Sequence, residues 1–200
     1  MSSQHFYVIT GASGAGKSTL IAALGELGFC TVPEAGSAVL RERRHRGVGA
    51  LPSADRAAFL EAVLARSLDD YTKASALGPP VFFDRGIPEW LQFAGCGEMH
   101  CNTTAARHRY ASTVFVAEPW PEIYVQDHER VHSFNKAAAS YERTVSAYTQ
   151  AGYKTCILPK ASVQERVAFI LTQVAAGAQQ IAVADRHPAI RAVGGWAQSL

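Results

Sequence analysis

Hydrophobic residues along the chain fall into short apolar runs and longer stretches with helical periodicity. The short runs are rich in Val, Ile, Phe, Tyr and Thr and predict five strands, at residues 5–10, 30–33, 81–84, 112–117 and 153–158. The longer stretches predict helices at residues 17–27, 54–77, 127–150 and 163–176. Because strands that alternate with helices are typical of parallel sheets, the pattern predicts an α/β fold in three layers, with a parallel five-stranded sheet and helices on both faces.

Residues with special backbone preferences lie between these elements. Gly78-Pro79-Pro80 ends the helix at 54–77 before the third strand, and Ala151-Gly152 is a candidate helix C-cap before the fifth strand. Ser162 is a candidate N-cap for the last helix. These signals support the same order of strands and helices as the hydrophobic pattern.

The length and composition are those of one folded domain. The 200 residues suffice for a single core, and 48% hydrophobic against 18% charged residues exclude a disordered chain. We expect the domain to cover residues 1–177 and residues 178–200 to form a C-terminal tail or docking segment.

Charge and cysteine content limit the partners and the location. Nineteen Lys and Arg against seventeen Asp and Glu leave a net charge of +2, which gives no case for nucleic-acid binding. No stretch approaches the roughly 20 apolar residues that span a bilayer, so we expect no membrane partner. The four cysteines are scattered and no apolar leader precedes them, which is typical of a reduced, cytoplasmic protein.

A glycine-rich loop follows the first predicted strand. Residues 11–18 read Gly-Ala-Ser-Gly-Ala-Gly-Lys-Ser and match G-x-x-x-x-G-K-[ST], and the predicted helix begins at Lys17. Glycines here let successive backbone N–H groups point into one hollow, and the positive end of the helix dipole adds to the attraction for phosphate. This strand, loop and helix together predict the P-loop NTPase form of the α/β fold.

The same loop predicts ATP and Mg²⁺ as cofactors. We expect Lys17 to be a catalytic residue that bridges the β and γ phosphates, and the Ser18 hydroxyl to ligate Mg²⁺. Thr19 is interpreted as a packing residue or as a residue on the side of the α-phosphate. The expected cofactor-binding residues are Gly11, Ala12, Ser13, Gly14, Ala15, Gly16, Lys17, Ser18 and Thr19.

A second carboxylate is expected at the end of the third strand. Asp84 follows the apolar residues 81–83, and open α/β sheets bind their ligands at the carboxyl ends of such strands. Asp84 is therefore a candidate catalytic residue, either holding a water of the Mg²⁺ shell or accepting the proton of a substrate hydroxyl. Arg85 is a candidate phosphate clamp. The structural alternatives are a helix N-cap for Asp84 and a surface ion pair for Arg85.

Two further residues are candidates for substrate binding. Glu34 follows the second strand, which we expect to neighbour the P-loop strand, so that its carboxylate faces the acceptor pocket. Arg41 lies seven residues later on the same helical side and is a candidate for anion binding. The alternatives are a first-turn helix acid for Glu34 and a solvated charged face for Arg41.

A lid is predicted between the fourth strand and the helix at 127–150. Residues 118–124 are rich in proline and aromatic residues, and from the following helix Arg130 is expected to reach the β and γ phosphates and stabilise transferring charge. His132 and Lys136 are lesser candidates for that role, and ion pairing of Arg130 within its helix is the alternative. Trp90 and Trp120 are candidates to stack on a substrate ring, or to pack in the core.

Taken together, these motifs resemble a known family. FYVITGASGAGKST (6–19), VPEA (32–35), VFFDRGIP (81–88), PWPEIY (119–124) and DHER (127–130) are similar to small P-loop predicted ATPases, the AAA-type domain grouped with the nicotinamide riboside kinase portion of NadR. The similarity covers about residues 6–171. It implies a nucleoside- or nucleotide-kinase-like fold that binds ATP and Mg²⁺, with Arg130 matching the lid arginine and Glu34 the acid on the acceptor side.

Two classes of function remain open from the sequence. The leading hypothesis is a Mg²⁺-dependent phosphotransferase or ATPase that transfers phosphoryl from ATP to a small hydroxylated metabolite or to water. The alternative is a nucleotide-dependent switch with slow hydrolysis. Asn135-Lys136 is followed by Ala-Ala rather than by x-Asp, which disfavours a guanine-reading switch, and the net charge of +2 disfavours a nucleic-acid kinase.

Overall fold

The computed structural model of the protein describes residues 5–45, 47, 56–94, 98–124 and 134–186. Of residues 98–102, 134–137 and 180–186 only the backbone is described.

Five parallel strands form one sheet, which confirms the predicted fold class. The strands are β1 (Phe6–Gly11), β2 (Cys30–Val32), β3 (Val81–Asp84), β4 (Thr113–Ala117) and β5 (Lys154–Ile157), and their spatial order is β2-β3-β1-β4-β5. The expectation that the second strand neighbours the P-loop strand is wrong, because β3 lies between β2 and β1. The bulkier apolar residues Val-Phe-Phe of β3 favour an interior position, where all four residues of the strand are buried, whereas the Cys-Thr-Val of β2 is half-buried at the edge.

Helices connect the strands on both faces of the sheet. They are α1 (Lys17–Glu26), α2 (Ala35–His45), α3 (Arg56–Ala74), α4 (Ile87–Ala94), α5 (Glu98–Arg107), α6 (Phe134–Gln150) and α7 (Val163–Arg186), and a 3₁₀ turn spans Pro121–Ile123. The sequence pattern did not predict α4 and α5. No helix in the described part of the chain is long and apolar enough to cross a membrane.

The alternation of side chains along β1 divides the core into two layers. Tyr7 and Ile9 face one side of the sheet, where they pack with Leu20 of α1 and Ile170 of α7. Phe6 and Val8 face the other side, in a cluster with residues of α3, α4 and α6. Successive strand residues point to opposite faces, so a strand that is apolar throughout is buried between two helical layers.

Two predicted element ends are confirmed. The Ser162 hydroxyl accepts a hydrogen bond from the Glu165 amide at 3.3 Å, and the Glu165 carboxylate accepts one from the Ser162 amide at 3.0 Å, which together form a capping box at the start of α7. Gly152 has φ +79°, the left-handed conformation of a helix C-cap. Helix α7 continues through Gly177, and the domain boundary placed there stays a prediction.

Candidate active site

The P-loop is held against the end of β4. Gly11 pairs with Ala117, and a Cβ on Gly11 would lie 2.1 Å from the Ala117 carbonyl oxygen, so only glycine fits here. The Ala12 amide donates to the same carbonyl at 2.9 Å. Gly14 and Gly16 have φ of +77° and +78°, which turns the chain from β1 into α1. The loop therefore has the curled backbone that the sequence predicts for a phosphate cradle.

Lys17 lies beneath this cradle with its ammonium group inside the protein. Its side chain is buried, and Nζ donates to the Ala12 carbonyl at 2.7 Å. Burial and the charge of Arg85 lower the pKa of Lys17 to about 8, against the opposing effect of nearby carboxylates. A bound polyphosphate would restore the charged form, because an anion next to an ammonium group favours its protonation.

Ser18 and Asp84 meet at the carboxyl ends of β1 and β3. Ile9 pairs with Asp84, and the Ser18 hydroxyl donates to Asp84 Oδ2 at 2.9 Å. Asp84 Oδ1 is buried and has no hydrogen-bond partner among the described residues. Burial raises the pKa of Asp84 more than Lys17 lowers it. A hydroxyl and a carboxylate with a free oxygen are the hard donors that Mg²⁺ prefers, so these two residues fit the predicted ion.

Arg85 links the end of β3 to two carboxylates. Its backbone has φ +68°, and it is the one non-glycine residue in the described ranges with a positive φ. Its amide donates to the Ile9 carbonyl at 3.0 Å, Nε donates to Glu34 at 3.0 Å and a terminal nitrogen donates to Glu89 at 2.7 Å. Burial disfavours the guanidinium charge, but Glu89 and Glu34 outweigh this and raise the pKa of Arg85. A strained backbone at such a position is typical of functional sites.

Glu34 is ionised in this arrangement. Burial by itself would raise the pKa of Glu34, but the charges of Arg85 and Lys17 and a hydrogen bond from Ser37 outweigh it and lower the pKa. The predicted Glu34 and Arg85 thus lie together although β2 is not adjacent to β1.

Glu89 is a central residue of the site that the sequence did not reveal. Its side chain is fully buried, and it accepts hydrogen bonds from the hydroxyls of Thr10 and Tyr148 at 3.0 Å and from the Gly86 amide at 3.2 Å. Arg85 precedes α4 and lies four residues before Glu89, a spacing that was a signal for an ion pair. Glu89 is buried because it contacts Thr10 of β1 and Tyr148 of α6, and these long-range contacts cannot be read from neighbouring positions in the sequence.

A small open cleft lies at the carboxyl end of β3, next to Asp84 and Arg85. Its charged lining residues are Asp70, Asp84 and Arg85, and its aromatic lining residues are Phe83, Trp90 and Tyr110. Both oxygens of Asp70 accept hydrogen bonds from Arg66 Nε at 2.9 Å. The candidate stacking residue Trp90 therefore lies in the wall of this cleft.

Not every predicted site residue joins this group. Thr19 is exposed, which removes the packing interpretation and leaves the α-phosphate one, and Arg41 is exposed on α2 and is absent from the lining of the cleft. Arg130 and His132 lie outside the described residues, as does the side chain of Lys136. Tyr124 packs on the P-loop, since a Cβ on Gly14 would lie 2.5 Å from its ring. The lid role of Arg130 stays a prediction.

Comparison with known proteins places the chain among kinase-like folds. The model of a family described as an AAA domain matches residues 6–166. Curated proteins gave no match.

Three solved structures of kinases share the fold at low sequence identity. They are deoxyadenosine kinase from M. mycoides with bound dATP (15% identity, TM-score 0.55, covering 84% of this chain and 98% of that one), thymidylate kinase from Ehrlichia chaffeensis (16%, 0.55, 84% and 98%) and shikimate kinase from Acinetobacter baumannii in complex with shikimate (12%, 0.51, 86% and 93%). The five-stranded parallel sheet with its helices is thus a P-loop kinase fold.

Proposed function

Because the chain belongs to the AAA domain family, whose model spans residues 6–166, we propose that it is a Mg²⁺-dependent P-loop kinase. It transfers the terminal phosphoryl group of ATP to a small, uncharged, hydroxylated acceptor. The observation that carries this proposal is the pair of adjoining half-sites, a phosphate cradle and a lined cleft, which share Asp84 and Arg85 at their boundary. A hydrolase or a switch needs only the first half-site.

In the cradle half-site, the P-loop amides and Lys17 hold the triphosphate. Lys17 is already inside the protein, so its charge acts on the phosphates in a poorly hydrated place where electrostatic stabilisation is strong. Ser18 and Asp84 would hold Mg²⁺, and the free Oδ1 of Asp84 supports this assignment. When bound, Mg²⁺ neutralises part of the negative charge on the phosphates.

Glu34 lies between Pro33 and Ala35, which line the cleft, and we assign to it proton acceptance from the acceptor hydroxyl. Asp84 already bonds to Ser18 and is assigned to the metal. Glu34 is ionised and a quarter of its side chain is exposed. Arg85 Nε lies 3.0 Å from Glu34 Oε1 and orients the carboxylate. As the hydroxyl oxygen forms its bond to phosphorus and the bond to the ADP oxygen breaks, the hydroxyl proton passes to the Glu34 carboxylate.

The charges around the cleft favour an uncharged acceptor. The guanidinium of Arg85 bonds to Glu34 and Glu89, and Asp70 and Asp84 add further carboxylates, so the described lining has no cation left for an anionic acceptor. Phe83, Trp90 and Tyr110 supply apolar rings for a flat group. A nucleoside such as the one named for the structurally similar deoxyadenosine kinase meets both conditions.

The test is acceptor-dependent consumption of ATP. With Mg²⁺ and ATP, the protein should release ADP only when a suitable nucleoside is added, and Lys17→Ala should abolish the reaction in a folded protein. ADP release that no member of a nucleoside and sugar panel accelerates would overturn the kinase proposal in favour of hydrolysis or switching.

A further inference from the structure

Arg166 connects the first turn of α7 to the P-loop. The capping box of Ser162 and Glu165 fixes this turn, and the Arg166 amide bonds to the Ser162 carbonyl at 3.0 Å. The guanidinium then donates to the Ala15 carbonyl at 3.1 Å, across 151 positions of sequence. Only 3% of Arg166 is exposed.

The guanidinium is a buried cation without a countercharge. No carboxylate of the described ranges forms an ion pair with it, and its Nε has no hydrogen-bond partner there. Its central carbon lies 5.7 Å from the centre of the Trp120 ring, and burial lowers the pKa of Arg166. Burying a charge without a partner costs free energy, so we expect a specific interaction of the guanidinium to offset that cost.

The Ala15 carbonyl and the Gly16 amide belong to one peptide group. A trans peptide is planar, and its C=O and N–H point in opposite directions. A cation that holds the carbonyl therefore fixes the direction of the N–H. A Cβ on Gly16 would lie 3.0 Å from the same Arg166 nitrogen, so the guanidinium lies directly against the Ala15–Gly16 peptide. Gly16 has φ +78° and no side chain that could hold this peptide.

We propose that Arg166 is a positioning residue for the nucleotide phosphates. Through its bond to the Ala15 carbonyl it directs the Gly16 N–H into the cradle and polarises it, without touching the nucleotide. A charged donor on the carbonyl strengthens the hydrogen bond that the N–H of the same peptide makes to a phosphate oxygen. Trp120 stacks on the guanidinium and limits its movement. The inference rests on the proposed binding of ATP.

The test compares Arg166→Met with a matched control, Arg109→Met. Arg109 also donates to a backbone carbonyl, that of Ala151 at 2.7 Å, and also stacks on a ring, that of Tyr153 at 4.1 Å. It precedes Ala111, whose amide bonds to the Phe6 carbonyl, and so lies at the opposite end of the sheet from the P-loop. Loss of a general structural role would appear in both variants, whereas loss of phosphate positioning would appear only in the first.

For Arg166→Met we expect the Kd of Mg²⁺-ATP by titration calorimetry to rise about tenfold, the scale of a charged hydrogen bond. KM for ATP should rise similarly while the acceptor KM and kcat change less than about twofold. Arg109→Met should leave the Kd unchanged, and Arg166→Lys should recover part of the affinity because it keeps a charged donor.

Two results separate the failure of this inference from that of the proposed function. If wild type binds no nucleotide, both fail. If wild type binds ATP and Arg166→Met binds it equally well, or Arg109→Met loses as much affinity, the positioning role alone is wrong. Should Arg166→Met not fold, Arg166→Gln, which has a neutral donor and no charge, gives the same comparison. The Gly16 amide proton resonance should then shift upfield from wild type, and an unchanged resonance together with an unchanged Kd would contradict the role.

Discussion

At the scale of single residues, the site is built from charges whose pKa values depend on their neighbours. Lys17 and Asp84 are both buried, and burial shifts the pKa of each toward the neutral form, down to about 8 for the lysine and upward for the acid. Such groups gain most when a ligand of opposite charge arrives. In the proposed function, a bound polyphosphate would therefore stabilise the charged form of Lys17, and a bound cation would stabilise the charged form of Asp84.

The pKa of Lys17 gives a prediction for pH dependence. Above about pH 8 the unliganded ammonium loses its proton, and a bound triphosphate requires the proton back. ATP binding should therefore weaken as pH rises through 8 and should take up close to one proton between about pH 8 and 10. Calorimetry in buffers of different ionisation enthalpy measures this uptake.

Two lysine variants serve as controls for this prediction. Lys17→Met should bind ATP weakly at every pH, without the uptake. Lys73→Met, which removes a surface lysine paired with Asp69, should keep the wild-type uptake. An uptake that persists in Lys17→Met would assign the titration to another group.

Glu89 gives a prediction for stability. Glu89→Ala leaves Thr10, Tyr148 and the Gly86 amide without their buried acceptor and removes one of the two carboxylates on Arg85. We expect a loss of about 3–5 kcal/mol in the free energy of unfolding, measured with urea. Glu42→Ala removes an exposed partner of Arg66 and should cost less than about 1 kcal/mol. Equal losses in the two variants would show that the Glu89 network does not support the fold.

At the scale of elements, the ends of strands and helices place the site. The capping box at α7 is a local example, since it fixes the turn that carries Arg166. Ser162→Ala should lower the free energy of unfolding by about 1 kcal/mol, measured by urea unfolding. Thr172→Ala, which removes an exposed hydroxyl inside the same helix, should change it by less than about 0.5 kcal/mol. A smaller effect at Ser162 than at Thr172 would mean that the cap is not used in solution.

The sequence predicted the elements better than their arrangement. All five strands, the P-loop, Asp84 and the Ser162 cap follow from runs and spacings of a few residues, which the sequence displays directly. The position of β2 at the edge of the sheet does not follow from such local patterns, because it depends on how well β2 and β3 each fit the interior of the sheet. The sequence analysis did not identify Glu89 or Arg166 for a similar reason, because both make their important contacts with residues that are distant in sequence.

At the scale of the whole molecule, the sheet order joins the two half-sites. The central β1 carries the P-loop, its neighbour β3 carries Asp84 and Arg85, and Glu34 reaches Arg85 from beyond the edge strand β2. The ends of three parallel strands thus bring the P-loop and the cleft to one edge of the sheet, which is where open α/β sheets bind their ligands.

The most direct measurement of the central proposal is phosphorus NMR of the protein with Mg²⁺, ATP and a nucleoside. We expect the γ-phosphate signal of ATP to be replaced by the signals of ADP and of a nucleoside monophosphate in equal amounts, and neither product to form with Lys17→Ala. The release of inorganic phosphate with no phosphate ester, at a rate independent of every nucleoside tried, would contradict the proposal.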